Sequence, residues 1–338
     1  MKSVCEAAVR GKKVLVRCDL DAPLSGGAVA DDFRLRACLP TLEYLVNGGA
    51  KVIICGHLGR PGGEAVAELR LDPVAEILSA RLGAVYKADE VVGSVVSDVA
   101  GNMAGGDILL LENLRFHPGE ESNDPQFAEE LSSLADLYIN EAFAVCHREH
   151  ASVVGVPQHL PTYAGLRLQE EVEKLTAVRD DPRRPLVFII GGAKAETKAP
   201  LVRKLAAYAD KVLLGGRLMF ETSLESVSNI VFPVDAKDTG DIGPKSAEIF
   251  KRALSGAGLV VWNGPLGKWE EEQYAGGTRQ VAQYLVASEA SVIVGGGDTL
   301  AALAAFGFRD KMGFVSTGGG AMLAFLAGEP LPGLEALK

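Results

Sequence analysis

Basic side chains suited to anion binding are concentrated in the first half of the chain. His57 and Arg60 share one short loop, Arg115 and Arg148 lie in two others, and Arg34 precedes the first long helical pattern. Guanidinium groups bind phosphate and carboxylate through paired hydrogen bonds, so this set predicts a site for a small, multiply charged anion. His57 taken alone is more typical of an ordinary turn histidine.

Glycine-rich turns are concentrated in the second half, at the ends of apolar, β-branched runs. They are Gly191-Gly192, Gly295-Gly296-Gly297 and Gly318-Gly319-Gly320. One such turn is weak evidence for a ligand, but several at strand ends favour a nucleotide. Backbone N–H groups without side chains approach phosphate oxygens closely, and helix N-termini add positive potential.

Charged residues beside these turns extend the same interpretation. Lys194 and Lys198 follow the first turn, and two cations at a helix N-terminus oppose its dipole unless an anion lies nearby. Asp298 and Thr299 open the helix after the triple glycine, either as an N-cap or as a Mg²⁺-binding carboxylate and a phosphate-binding hydroxyl. The acidic run at residues 120–124 is interpreted as solvated surface.

Composition excludes several functional classes. The net charge of -10 argues against a nucleic-acid or anionic membrane surface as partner. The five cysteines include no Cys-x-x-Cys pair, so we expect no disulfide framework or zinc site and a cytoplasmic protein. The P-loop, the dinucleotide-binding fingerprint and the protein-kinase motifs are all absent.

The positions of strands and helices predict an α/β protein. Apolar strands at residues 13–17, 51–55 and 107–111 alternate with helical patterns, and the rhythm resumes with strands at 185–190, 211–214, 259–262 and 291–294. Alternation of this kind implies parallel βαβ units. A length of 338 residues favours two domains, and the charged amphipathic helix at residues 163–175 is the candidate connector.

The chain resembles phosphoglycerate kinases over nearly its whole length. The matching blocks in the first half include Gly56-His57-Leu58-Gly59-Arg60-Pro61 and Leu111-Glu112-Asn113-Leu114-Arg115-Phe116. Those in the second half include Gly191-Gly192-Ala193-Lys194, Trp262-Asn263-Gly264-Pro265-Leu266-Gly267 and Gly295-Gly296-Gly297-Asp298-Thr299. The blocks follow the family's order.

The resemblance implies two Rossmann-like domains, each with a parallel sheet flanked by helices. It predicts an N-terminal 3-phosphoglycerate-binding domain at residues 1–160 and a linker helix at 161–180. A shortened C-terminal Mg-nucleotide-binding domain follows at 181–324, and a tail at 325–338 returns to the hinge or the N-terminal domain. The implied activity is reversible phosphoryl transfer between ATP and 3-phosphoglycerate, giving ADP and 1,3-bisphosphoglycerate, by a monomer that closes about a hinge.

The resemblance also assigns residues to the two half-sites. The acid site receives Asp19, Asp21, Arg34, His57, Arg60, Arg115 and Arg148. The Mg-ATP or Mg-ADP site receives Gly192, Lys194, Lys198, Gly215, Asn263, Glu270, Gly296, Gly297, Asp298 and Thr299, with Asp298 at the metal and Glu270 at the ribose. Arg34, Lys194 and Lys198 are the predicted catalytic residues. The acceptor carboxylate is already ionised, so positioning and positive charge suffice without a general base.

The chain departs from the family's pattern at four positions. Asp21 stands where the family has an asparagine, which places a negative charge in the acid site. Thr197 replaces an aspartate, and either residue can cap a helix. Arg217 replaces a glycine beside the base, and Ala144 replaces another glycine in a loop. Two alternatives stay open, namely a kinase for a different small carboxylate and a catalytically weak nucleotide-binding homologue.

Overall fold

The computed structural model describes residues 1–338 and divides them into two compact units. The first unit contains Met1–Glu173 with Pro330–Lys338, and the second contains Lys174–Glu329. Each unit is built on one six-stranded sheet in which every strand pair is parallel. The predicted α/β class is therefore confirmed. No helix combines the length and the apolar character needed to cross a membrane.

The sheet of the first unit is built from apolar strands with buried side chains on both faces, as parallel sheets require. In chain order the strands are β1 (Lys13–Arg17), the hairpin β2 (Leu24–Ser25) and β3 (Ala28–Val29), β4 (Lys51–Cys55), β5 (Val85–Lys87), β6 (Ile108–Leu110), β7 (Leu137–Asn140) and β8 (Thr162–Ala164). The spatial order in the sheet is β5-β6-β4-β1-β7-β8. Chain progression reverses beside β1, which makes the ends of β1 and β7 the topological switch point where ligands bind in such sheets.

Helices of the first unit cover the sheet. They are α1 (Phe33–Asn47), α2 (Asp72–Leu82), α3 (Ser94–Asn102), α4 (Pro118–Glu121) and α5 (Pro125–Ser133). Leu42 and Leu45 of α1 and Leu78 of α2 are fully buried in one cluster with Val16 and Ile54 of the sheet. Truncating a leucine in such a cluster to alanine costs about 2–5 kcal/mol of unfolding free energy. This core fixes α1, and with it Arg34, against the end of β1.

A connecting helix, α6 (Leu166–Asp180), begins in the first unit and ends in the second. Its first turn is held by two side chains of the first unit. Leu166 N donates to Thr41 Oγ1 at 2.8 Å, and Arg167 N donates to Glu141 Oε1 at 3.1 Å. Burial raises the pKa of Glu141 to about 8, although the bonds from Thr41 and Arg167 N oppose that shift.

The second unit repeats the plan. Its strands are β9 (Leu186–Ile190), β10 (Lys211–Leu214), β11 (Ile230–Val231), the hairpin β12 (Ala236–Lys237) and β13 (Asp241–Ile242), β14 (Leu259–Asn263), β15 (Ser291–Gly295) and β16 (Phe314–Val315). Its helices are α7 (Ala195–Ala206), α8 (Pro244–Leu254), α9 (Gly276–Val286), α10 (Gly297–Ala305) and α11 (Gly320–Leu326). The sheet order is β11-β10-β9-β14-β15-β16, so the switch point lies between β9 and β14.

The last residues belong to the first unit. A short helix, α12 (Pro332–Glu335), follows Pro330, where the chain rejoins that unit. Gly333 N donates to Cys146 O at 2.9 Å, and a Cβ on Gly333 would lie 2.9 Å from Cys146 Cα. The close backbone approach explains the glycine, since any side chain there would displace the helix.

Candidate active site

Two aspartates and one arginine meet at the carboxyl end of β1. Asp19 and Asp21 lie in the loop after the strand, and Arg34 lies in the first turn of α1. Arg34 NH1 is 3.2 Å from Asp19 Oδ1 and 3.5 Å from Asp21 Oδ2. The two carboxylates raise the pKa of Arg34, with Asp19 the larger cause. Arg34 is thus a permanent cation held by two anions of the same loop.

Asp19 is buried and only partly satisfied. The residue is 1% exposed, and Oδ2 accepts no hydrogen bond. Burial raises the pKa of Asp19 against the opposing attraction of Arg34. A buried carboxylate oxygen without a donor is costly, so the geometry leaves one acceptor open for a ligand's hydroxyl or amine.

His57 enters the same cluster from the loop after β4. Its Nε2 is 3.9 Å from Asp21 Oδ2, while its Nδ1 is 3.0 Å from Arg17 NH2. Gly59 N donates to Asp21 Oδ1 at 2.9 Å, and Arg115 NH1 donates to Gly59 O at 2.8 Å. The structure therefore brings four predicted acid-site residues, Asp21, Arg34, His57 and Arg115, around one loop.

Burial, with neighbouring cations adding to it, lowers the pKa of His57, His150 and Arg115. Burial is the main cause for His57, whose pKa falls well below its ordinary value, and Arg17 adds to the effect. Burial likewise lowers the pKa of His150 to about 4 and that of the Arg115 guanidinium. The histidines are therefore neutral in this pocket at pH 7, and its positive charge resides on arginines.

Arg60 and Arg148 occupy a different position from the other predicted acid-site residues. Both are exposed, and neither side chain forms a hydrogen bond or an ion pair within the protein. Arg148 still contributes to the low pKa of its neighbour His147, which is about 4. The two guanidinium groups are therefore exposed to solvent and free to contact a ligand.

The interpretation of residues 120–124 as solvated surface is wrong for Glu120. Glu120 is fully buried and accepts from Ser152 N at 2.9 Å and from Ser152 Oγ at 2.6 Å. Asp124 caps α5 by accepting from Phe127 N at 2.8 Å. Only Glu121 and Ser122 are exposed. The run is predicted as surface because all its residues are polar. Burial of Glu120 is favourable only because the tertiary fold brings Ser152 to it as a hydrogen-bond donor.

Sequence reasoning also missed Arg17. The residue ends β1 inside an apolar strand and is 0% exposed. Its guanidinium donates to Ser152 Oγ at 2.8 Å as well as contacting His57. An arginine at the end of a buried strand is unusual, and this position is the one feature of the sequence that indicates a buried polar contact for Arg17.

The second candidate site lies at the switch point of the other sheet. Lys198 Nζ donates to Gly191 O at 2.7 Å and to Asn263 Oδ1 at 2.9 Å, which joins the ends of β9 and β14. Burial lowers the pKa of Lys198 to about 8, with Asp298 opposing the shift and Lys194 adding to it. Lys198 is therefore the ammonium group that connects the two strand ends at this site.

The glycines at the ends of β9 and β14 allow the two backbone segments to pack closely against each other. Gly192 has φ +90 and Gly264 has φ +94, values that favour glycine. A Cβ on Gly264 would lie 2.1 Å from Gly191 O, and one on Gly191 would lie 2.2 Å from Pro265 O. Gly215 N donates to Ile190 O at 3.0 Å, which adds β10 to the same cluster of strand ends.

Lys194 and Thr197 occupy the first turn of α7. Lys194 is the exposed N-cap residue, and no side chain caps this helix. The expectation that Thr197 caps the helix is wrong. Its hydroxyl donates to Lys194 O at 3.5 Å and accepts no backbone N–H. A threonine at the third helical position is inside the helix, where its hydroxyl bonds backward to a carbonyl.

Asp298 and Thr299 lie in the first turn of α10, whose N-cap is Gly296. Neither residue is the N-cap, so that alternative is wrong. Thr299 is buried and its Oγ1 accepts from Gly264 N at 2.7 Å, while Asn263 Nδ2 donates to Gly319 O at 3.0 Å. The Asp298 carboxylate is exposed and forms no hydrogen bond or ion pair, although its charge acts on Lys198. A carboxylate with no ion pair beside a lysine and glycine turns fits Mg²⁺, which uses one or two carboxylates with phosphates and waters.

Two further residues that the sequence relates to the nucleotide site are exposed. Glu270 is exposed in the loop after β14, and Arg217 is exposed in a short 3₁₀ helix, Gly216–Phe220. Arg217 N donates to Gly192 O at 2.9 Å, whereas its guanidinium has no partner. Arg217 therefore adds an exposed cation next to the turn at Gly192.

The fold and the two clusters define a class of protein, the two-domain α/β phosphotransferases. One unit gathers arginines, aspartates and a histidine at the end of β1, and the other joins glycine turns with a lysine at a switch point. The comparisons specify that class further. A family model described as phosphoglycerate kinase matches residues 4–231 and 220–329. The chain belongs to the phosphoglycerate kinase family.

Individual relatives agree with this assignment. A phosphoglycerate kinase of Moorella thermoacetica is 42% identical over 380 aligned positions that cover 97% of each chain. The solved phosphoglycerate kinase of Coxiella burnetii is 33% identical with a TM-score of 0.82, covering 99% of this chain and 98% of its own. That of Pyrococcus horikoshii OT3 is 30% identical with a TM-score of 0.88, covering 100% and 98%. The predicted family is confirmed.

Proposed function

We propose that the chain transfers the γ-phosphoryl group of ATP reversibly to the carboxylate of 3-phosphoglycerate, giving ADP and 1,3-bisphosphoglycerate. One observation supports the proposal. This chain, a member of the family, has a cluster of arginines suited to an anion in one unit and a glycine-lysine cluster at the switch point of the other. The five free cysteines support action in a reducing compartment, which we take to be the cytoplasm, and we propose a monomer.

The first unit would bind the acid through charge and hydrogen bonds. Arg34 and Arg115 supply guanidinium groups, His57 supplies an imidazole, and Arg60 and Arg148 are exposed and free to contact a ligand. The unsatisfied Oδ2 of Asp19 supports a ligand that carries a hydroxyl group as well as anionic groups. A hydroxy acid bearing a phosphate meets both requirements, because its hydroxyl donates where its anions accept.

The second unit would bind the nucleotide phosphates. Lys198 is fixed between Gly191 and Asn263, and Lys194 is an exposed ammonium group at the start of α7. Asp298 would hold Mg²⁺ together with the phosphates, and the metal would neutralise part of their charge. Glu270 and Gly215 would lie toward the nucleoside, where the exposed Arg217 is an added cation.

The reaction needs no general base, because the attacking carboxylate is ionised at neutral pH. An oxygen of that carboxylate attacks the γ-phosphorus while the bond to the ADP oxygen breaks, and the negative charge spreads over the transferring group. Arg34 and Lys194 would stabilise that charge when the two bound ligands meet. Their contribution is therefore greatest at the transition state.

Binding measurements test the assignment of ligands to units. We expect Arg115→Met to weaken 3-phosphoglycerate binding at least tenfold in calorimetric titration while ATP binding is unchanged. Lys198→Met should do the reverse. Arg10→Met is the matched control, since Arg10 is exposed and outside both sites. Weakened ATP binding in Arg115→Met would contradict the assignment.

A second candidate function is a kinase for a related small acid. Asp21 motivates it, because this carboxylate lies 3.5 Å from Arg34 and 3.9 Å from His57, inside the acid pocket. A substrate with less negative charge would be repelled less by Asp21. Comparing kcat/KM for 3-phosphoglycerate with that for related hydroxy acids separates the two candidates, and a higher value for another acid would favour the second.

A further inference from the structure

A buried chain of polar groups leads to the inner face of His57. Glu120, Ser152 and Arg17 are all 0% exposed. Ser152 Oγ donates to Glu120 Oε1 at 2.6 Å and accepts from Arg17 Nε at 2.8 Å, and Arg17 NH2 contacts His57 Nδ1 at 3.0 Å. None of these three groups has a place in the proposed phosphoryl transfer, and all three are shielded from the pocket by burial.

The contact between Arg17 and His57 determines where the imidazole proton lies. A guanidinium group has five N–H donors and no acceptor, and it does not lose its charge in proteins. Nδ1 of His57 must therefore accept the hydrogen bond and cannot carry a proton. A neutral imidazole has one N–H, so the proton is on Nε2, the nitrogen that faces Asp21 and the pocket.

Burial favours that neutral form, and the charges around His57 add to its effect. The cations facing it are Arg17 from β1, Arg34 from α1 and Arg115, with His150 as a further titratable neighbour. Asp21 is the one carboxylate near the ring, at 3.9 Å from Nε2, and it is more than a third exposed. Three buried or partly buried arginines outweigh one hydrated carboxylate.

Arg17 itself is held in place without a direct carboxylate partner. Its three hydrogen-bond partners are Ser152 Oγ, the carbonyl of Cys18 and His57 Nδ1, and it forms no ion pair. Glu120 balances its charge through the Ser152 hydroxyl. The guanidinium orientation therefore depends on Ser152, and the orientation of His57 depends on Arg17.

We propose that Arg17, anchored through Ser152 to Glu120, is a positioning residue that holds His57 as a neutral donor with its proton on Nε2. His57 then donates to an anionic oxygen of the acid across the whole physiological pH range. The identity of that acid rests on the proposed function, whereas the position of the proton does not.

The wild-type protein gives the first test. Two-dimensional ¹H–¹⁵N correlation NMR of histidine side chains distinguishes the two tautomers, and His57→Gln identifies the His57 signals among the five histidines. We expect a protonated Nε2 and an unprotonated Nδ1, with the pKa of His57 below the ordinary imidazole value. A proton on Nδ1, or a pKa at or above that ordinary value, would overturn the proposal without reference to catalysis.

Variants separate positioning from a structural role. In Arg17→Met we expect the Nδ1-protonated form to appear and the KM for 3-phosphoglycerate to rise about tenfold, with the KM for ATP unchanged. Removal of the Arg17 charge should also raise the pKa of His57 toward its ordinary value, although burial, Arg34 and Arg115 still oppose the charged form. The KM for the acid then becomes more pH-dependent than in the wild type, and that extra dependence disappears in the Arg17→Met, His57→Gln double variant.

Milder variants keep the test decisive where Arg17→Met does not fold. Ser152→Ala removes the anchor, and we expect a smaller change in the same direction in both the tautomer ratio and the KM for the acid. Arg10→Met is the control and should leave both unchanged. A single unaltered Nε2 tautomer in Arg17→Met, or in Ser152→Ala where Arg17→Met does not fold, would contradict the role of Arg17. Lack of turnover in the wild type would refute the proposed function alone, because the NMR result stands apart from it.

Discussion

Replacing Asp21 with asparagine tests how the acid pocket balances its charges. The Oδ1 atom accepts from Gly59 N at 2.9 Å, a bond that an asparagine oxygen preserves. The Oδ2 atom lies 3.5 Å from Arg34 NH1, so the carboxylate competes with a bound acid for that guanidinium. The substitution removes one negative charge, leaves the loop's hydrogen bond in place and leaves Arg34 paired with Asp19 alone.

The expected magnitude follows from the distances and the exposure of the side chain. Two unit charges about 6 Å apart in water interact by ~0.7 kcal/mol, so one carboxylate repels a substrate with about three negative charges by ~2 kcal/mol. Asp21 is 38% exposed, and salt screening reduces the value to about 1 kcal/mol. We therefore expect the KM for 3-phosphoglycerate to fall about fivefold in Asp21→Asn.

Steady-state kinetics at fixed ionic strength provide the assay. Asp98→Asn makes the same change of charge on α3, where Asp98 is exposed and has no ion pair. It should leave the KM unchanged, and higher salt should reduce the effect of Asp21→Asn. An unchanged or raised KM in Asp21→Asn would show that Asp21 contacts the acid favourably and would refute the repulsion argument.

Three further predictions concern the second unit and the connecting helix. Lys194→Ala should lower kcat at least 100-fold with less than a tenfold rise in the KM for ATP. The control is Lys204→Ala, which removes an exposed lysine of the same helix. An equal effect of Lys194→Ala on kcat and on KM would contradict a role at the transition state. The pKa of Lys198, lowered to about 8, predicts that its attraction for phosphate is present below pH 8 and is lost above it, so the KM for ATP should rise between about pH 7.5 and 9 and should not do so in Lys198→Arg. The pKa of Glu141 is raised from 4.5 to about 8, so between these values the folded protein holds a proton that the unfolded chain has released. The free energy of unfolding should therefore fall by up to a few kcal/mol as the pH rises from about 5 to 8.5. Urea denaturation should show a smaller fall in Glu141→Gln.

The fold was predictable because its signal is local. Buried parallel strands are short apolar runs, and those of β1, β4 and β10 coincide with the predicted residues. Edge strands were not predicted individually. β11 and β16 have only two residues each, and so brief a segment has no periodicity that distinguishes it from a loop.

The candidate site was predictable where a residue type has a narrow range of uses. Lys198 and Asn263 were both assigned to the nucleotide site, and the structure joins them by a 2.9 Å hydrogen bond. The acid site was assigned Asp21, Arg34 and His57, and Asp21 lies 3.5 Å from Arg34 and 3.9 Å from His57. The predicted roles of these residues remain proposals, since they describe contacts with ligands.

The remaining errors arise from long-range contacts. Glu120 lies in a polar run, and its burial depends on Ser152, which is 32 residues away along the chain. Arg17 is 40 residues from His57. Thr197 fails as a cap because α7 begins at Ala195, so its hydroxyl faces a carbonyl and no free N–H. No local pattern encodes these partners.

The most direct test of the account is a coupled assay of acyl-phosphate formation. The folded protein is supplied with ATP, Mg²⁺ and 3-phosphoglycerate, and 1,3-bisphosphoglycerate is detected by its reduction with NADH and glyceraldehyde-3-phosphate dehydrogenase. We predict turnover that requires all three components and that is abolished or nearly so in Arg34→Ala and in Lys194→Ala. Absence of turnover in a folded wild-type sample, or turnover unaffected by both substitutions, would contradict the central claim.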